Sequence, residues 1–142
     1  MRTMRLALLL LALAAPAHAQ PVSHTRPGDY QAFGERPGLV RLMDRLMVGL
    51  LADPVTAPFF QRNQRRIKEQ LVDQFCALLE GPCEYKGGAM DVVHKRWKID
   101  RAQFNALVEV LQDAMAAEGI PFAAQNRLLA ELAPMHRDIV TR

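Results

Sequence analysis

Four stretches of this chain set apolar residues three and four positions apart, and none alternates apolar with polar long enough to make a strand. That periodicity restricts it to helices that each bury one stripe. In the first, Leu39, Leu42, Met43, Leu46, Met47 and Leu50 share a face behind Pro37-Gly38. Asp53-Pro54 stops it, because a residue before proline is pushed out of the helical region. The second runs from about Gln64 to Leu79 with Ile67, Leu71, Phe75 and Leu78 on its stripe, and Gly81-Pro82 ends it. Asp100, with Gln103 three places on, forms a capping box for the third, which buries Phe104, Leu107, Val108, Leu111 and Met115. The fourth follows Pro121 and buries Phe122, Leu128, Leu129 and Leu132, with Pro134 bending it before Ile139. The expected fold class is all-α, with four long helices and one short one.

The short helix breaks the pattern of a plain antiparallel bundle. From Leu79 to Asp100 the chain holds barely two turns, Ala89 to Lys95, after a loop of turn-forming residues, 81–88. A compact domain seldom keeps so long a weakly structured stretch without a use for it.

The N-terminus reads as an address rather than as fold. Arg2 and Arg5 precede nine apolar residues, Leu6 to Ala14, too few to span a bilayer. Ala17-His18-Ala19 then offers small residues where a signal peptidase cuts, before Gln20. An uncleaved anchor is the alternative. Residues 1–19 are thus expected to be a signal peptide, 20–29 a flexible lead-in and 30–142 one domain, periplasmic or otherwise exported. Without Arg2 and Arg5 the 18 basic residues fall to 16 against 15 acidic ones. Near-neutrality, and aromatics not interleaved with arginine, give no reason to expect nucleic acid as a partner. No later segment is apolar for long enough to span a membrane.

Few residues carry chemistry. Cys76 and Cys83 are the only cysteines, and an even count in an exported chain suggests a disulfide, with free buried thiols or a redox pair as alternatives. His24 lies in the lead-in and His136 on a stretch read as exposed, whereas His94 follows Met90, Val92 and Val93 on a partly apolar turn. A neutral imidazole in an apolar crevice suits a haem iron, whose porphyrin supplies the other in-plane donors, but a plain core or surface histidine fits the spacing too. A zinc site of His94 and both cysteines lacks a fourth ligand.

The segment from Arg66 to His94 resembles the middle of the group I truncated haemoglobins. It has their apolar-striped helix, their Gly-Pro break (Gly81-Pro82), Tyr85, Gly87 and Met90 at Tyr-x-Gly-x-x-Met spacing, and His94 four residues after that Met. Gly38-Leu39, Leu51 to Pro54 with Ala57 to Phe60, Ile99 to Phe104 and Leu132 to Val140 are similar to other parts of the family, so the likeness runs from about residue 30 to 141. It implies a two-over-two helical sandwich around one haem b, His94 as the proximal ligand of the iron, Phe60 packed on the porphyrin and Met90 on the proximal side.

On the distal side the chain departs from the family. The positions where many members carry Tyr and Gln hold Met47 and Leu71, with Ile67 and Phe75 beside them, and none of the four can donate a hydrogen bond. Gln74 is the one nearby polar residue of that helix that could compensate, and it could equally face solvent. The reading is a globin that binds diatomic gases (O2, NO, CO) in an apolar pocket. NO dioxygenase or peroxidase-like turnover would need an external electron donor, since the chain has no flavin or nicotinamide motif. The alternative is a periplasmic electron-transfer or haem-handling protein with His–Met ligation through Met47. A haem-free helical interaction module is the third. Arg62, Arg65, Arg66, Lys68, Lys95, Arg96 and Lys98 flank the expected pocket as a solvated face, from which one or two could meet the haem propionates.

Overall fold

A computed structural model describes residues 23–142, so the signal peptide expected at 1–19 lies outside the described residues. The elements are α1 (Asp29–Ala32), α2 (Glu35–Ala52), α3 (Ala57–Phe60), α4 (Gln64–Leu78), α5 (Met90–His94), α6 (Arg101–Ala117), α7 (Phe122–Leu132) and α8 (His136–Ile139). Single 3₁₀ turns cover Lys95–Trp97 and Ala133–Met135. Among the described residues the only β-type pairing is one parallel bridge, Ile99 to Val140.

The four long helices form two stacked pairs. α2 lies against α4 and α6 against α7, and the pairs meet where α2 touches α6 and α4 touches α7. The stripe read from the sequence is the buried face of α2: Leu39, Leu42, Met43, Leu46, Met47 and Leu50 are all buried. A Cβ on Gly49 would come within 2.6 Å of Val110 Cγ1, so glycine sets how closely α2 and α6 approach. α2 begins earlier than Pro37-Gly38 suggests, at Glu35, because proline is tolerated in a first turn.

Its far end is a built corner. Asp53 Oδ1 accepts from the backbone N–H of Val55 (2.7 Å) and Thr56 (3.1 Å), and the buried Thr56 hydroxyl donates to Leu50 O at 2.7 Å. The chain therefore turns sharply after Asp53-Pro54 and delivers Phe59 and Phe60 on α3. The capping box of α6 forms as expected, with Gln103 N–H donating to Asp100 Oδ1 (2.9 Å) and Asp100 N–H to Gln103 Oε1 (3.0 Å). Pro134 falls in the 3₁₀ turn that separates α7 from α8.

Two expectations change. Phe122, assigned to the buried stripe of the last helix, is 74% exposed, because it opens α7 ahead of the turns that reach the core at Ala124, Gln125 and Leu128. The lead-in expected over 20–29 is described from Ser23, and there it is tied down. Asp29 is buried and takes a two-pronged contact from Arg127 of α7 (Nε to Oδ2 2.8 Å, Nη2 to Oδ1 2.5 Å), while Glu131 accepts from the backbone N–H of His24 and Thr25. A buried carboxylate needs such a partner, and only the folded chain supplies one from so far away.

The Arg127 hydrogen bond holds the Asp29 carboxyl below its ordinary value of 3.8. The stabilisation is therefore complete above that value and disappears as pH falls through the lower folded one. Asp29→Asn is expected to lower the denaturant midpoint at pH 7 and to differ much less from the parent near pH 3. A midpoint difference that is the same at both pH values would contradict this.

Candidate functional site

The stretch from Leu79 to Asp100 has little core of its own, and α5 within it buries no residue. Three attachments position it. On one side, Cys76 at the end of α4 is disulfide-bonded to Cys83, with Cα atoms 5.8 Å apart, so the loop leaves α4 on a short tether. On the other, α8 packs on α5, and Thr141 N–H donates to Ile99 O at 2.9 Å beside the Ile99–Val140 bridge. Between them, the Tyr85 ring lies across Gly87, where a Cβ would fall 2.1 Å from the phenol oxygen, and its hydroxyl donates to Gly88 O at 3.2 Å. Burial raises the Tyr85 pKa above its ordinary value and keeps the hydroxyl a donor.

An open cleft of about 350 Å³ separates α4 from this stretch. Gln74 and Leu78 form one wall, Tyr85, Ala89 and Met90 the other, and Met135 closes an end. His94 lies one turn after Met90, on the same side of α5. Its ring is half-buried, and Nδ1 sits 2.9 Å from Met90 O. In the neutral ring, that carbonyl acceptor places the proton on Nδ1 and leaves the lone pair on Nε2, where a metal could bind. Among the described residues no three His, Cys, Asp or Glu side chains gather to hold an ion. A metal at His94 would have to bring its other donors with it.

The other expected site residues divide by position. Met90 lines the cleft. Ile67 is half-buried on α4, and Leu71 and Phe60 are half-buried against the core. Met47 is 5% exposed on α2. Phe75, expected on the pocket side, is 3% exposed and belongs to the core cluster with Leu46, Leu50 and Val72. It is one residue past Gln74, and a 100° step carries its side chain from the cleft wall toward α2. Of the flanking cations, Lys68 pairs with Asp44 at 2.5 Å, and the other six are exposed and make no ion pair among the described residues.

Three features had no clear signal in the sequence. Trp97 meets Phe59 edge-on, ring centroids 6.1 Å apart, and so joins the α3 corner to the end of the His94 segment. His136, read as exposed, is half-buried with its ring edge-on to Phe104 at 4.9 Å. Met135 reaches the cleft because the 3₁₀ turn at Pro134 rotates it inward from the line of α7.

Two stacked helix pairs with a short, externally tethered helix carrying one histidine beside an apolar cleft are the architecture of a globin reduced to its essential helices. Residues 29–141 match the family of bacterial-like globins, and the chain belongs to that family. It is 32% identical over 113 residues to group 1 truncated hemoglobin GlbN of Mycolicibacterium paratuberculosis, covering 79% of this chain and 83% of that one. The GlbN protein of a Nostoc species is 28% identical over 92 residues, covering 64% of this chain and 78% of its own. The crystal structure of truncated hemoglobin from Tetrahymena pyriformis superposes with a TM-score of 0.75 at 23% identity, over 80% of this chain and 98% of that one. The fold is the two-over-two sandwich.

The disulfide closes a short loop, and on the chain-entropy account such a bridge contributes about 2–3 kcal/mol. Cys83→Ala should lower the unfolding free energy by that amount, and a reductant should destabilise the parent to the same level while leaving the variant unchanged. A reductant effect of equal size on both proteins would sink the assignment.

Proposed function

We propose that this chain binds one haem b per molecule in the cleft beneath α4, with His94 Nε2 as the proximal ligand, and that it serves as a receptor for diatomic gases. The observation that carries the reading is the His94 Nδ1 contact with Met90 O, which leaves Nε2 as a ready metal donor beside an apolar cleft. When bound, haem would supply the iron and most of its donors, so His94 would need to contribute only one, and the iron would provide the affinity for a diatomic gas. The residues fit that demand: one imidazole suffices, and the apolar walls exclude water from the ring system.

The remaining roles follow from residue type. Met90 and Phe60 pack against the macrocycle. Met47, Ile67 and Leu71 make the distal side apolar, and none donates a hydrogen bond to a ligand. Dioxygen held as an acceptor of partial negative charge loses about 1.5–3 kcal/mol when a charge-assisted donor is missing, or one to two orders of magnitude in affinity at about 1.4 kcal/mol per tenfold. CO depends less on such a donor. The reading is therefore a gas binder with modest hold on oxygen, and any redox turnover draws on an external electron donor. Export to an oxidising compartment after loss of residues 1–19 belongs to the same reading, and the Cys76–Cys83 disulfide supports it.

The test is an absorption spectrum of the chain reconstituted with haem. A Soret band that changes with CO and is lost or displaced in His94→Ala is expected. In Leu71→Gln, the restored donor should slow dioxygen dissociation about 10- to 100-fold. A parent that takes up no haem, or a His94→Ala spectrum identical to the parent's, overturns the assignment.

A further inference from the structure

We propose that the exposed cations around Trp97 form the docking surface for an acidic one-electron carrier protein, the external donor on which redox turnover would draw. The proposal rests on the haem-binding reading above. Two short runs of chain build the surface. Arg62, Arg65 and Arg66 lie just before and within the first turn of α4, while Lys95, Arg96 and Lys98 follow His94. The edge-on contact of Trp97 with Phe59 brings the runs together, since Phe59 stands three residues before Arg62. All six cations are exposed, and none makes an ion pair among the described residues. Neither 61–68 nor 92–99 contains an acidic residue, and Asp100 just beyond is occupied by its capping box.

The grouping is not a by-product of a basic chain. Once Arg2 and Arg5 are left out, 16 basic residues face 15 acidic ones, and setting these six aside leaves ten against 15. The molecule is therefore near neutral but polarised, with this face positive and the remainder net acidic. Such a field orients an acidic partner before contact and raises its encounter rate. Within the patch, Trp97 is 41% exposed, and Arg96 Cζ lies 5.1 Å from its ring centroid. Tryptophan and arginine are the residues that most often anchor a protein interface. A lipid surface would ask for an apolar edge to insert, but Trp97 is held by Phe59 and covered by Arg96, so this face offers charge. Lys95 and Arg96 continue directly from His94, so a carrier docked here stands beside the proximal ligand. The step is a single electron transfer: the carrier is oxidised as ferric iron becomes ferrous, and no bond is made or broken. Haem propionates that take two of the six cations leave four for the partner.

The test uses the haem-loaded chain with an acidic [2Fe–2S] ferredoxin as probe. Binding is measured by titration calorimetry with oxidised ferredoxin, and iron reduction by stopped-flow absorption with the reduced form. Raising ionic strength from about 0.02 to about 0.5 M should weaken binding and slow the second-order reduction rate at least about tenfold. At low salt, Arg65→Glu and Arg96→Glu should each slow it about five- to tenfold, whereas Arg41→Glu, the same charge change on α2, should stay within about twofold. That pattern supports the proposal. Equal effects of all three variants, or a parent rate indifferent to salt, overturn it and leave the haem reading intact. Binding of the parent to phosphatidylglycerol vesicles but not to ferredoxin overturns it too. A patch variant that loses haem is judged on calorimetric binding alone, and affinity equal to the parent's counts against the proposal. A parent that takes up no haem overturns both readings.

Discussion

The placement of His94 is decided from outside its own helix. α5 is five residues long and buries none of them, so neither helix propensity nor core packing can hold it. What holds it is a bracket: the Cys76–Cys83 bond fixes the loop to α4, and the C-terminal turn with α8 and Val140 fixes the other end at Ile99. The sandwich of α2, α4, α6 and α7 supplies the rigid frame to which both ends are anchored. With α5 suspended in this way, a cleft can remain open between it and α4 without the core collapsing into it.

An open apolar cleft is costly in water, since each square ångström of apolar surface left exposed forgoes about 25 cal/mol. Phe104, Leu107 and Val108 of α6 and Ile67 and Leu71 of α4 are all only half-buried, whereas the α2 stripe is fully packed. That asymmetry accords with a flat apolar group completing the core, with one imidazole and few polar contacts deciding what it does.

Much of the frame was legible in the sequence because its signals are local. The α2 stripe, the Asp53-Pro54 stop, the Asp100–Gln103 box and the Pro134 break each depend on residues within a turn or two of one another. What could not be read depends on contacts across the fold. Asp29 and Arg127 are 98 positions apart, and nothing near Asp29 announces a buried ion pair. Helical periodicity assigns Phe75 and Phe122 to apolar faces but not to a neighbour: one joined the core and the other stayed in solvent. The inward turn of Gln74 is of the same kind, because an amide reads as a surface residue until the partner opposite it is known.

The central claim, that His94 and no other side chain holds the iron on the proximal side, is tested most directly by low-frequency resonance Raman of the ferrous, haem-loaded protein. The account predicts an iron–histidine stretching band that is absent from His94→Gly and returns, at a shifted frequency, when free imidazole is added to that variant. A band that persists unchanged in His94→Gly, or a six-coordinate spectrum without the band that becomes five-coordinate only in Met47→Leu, would contradict it.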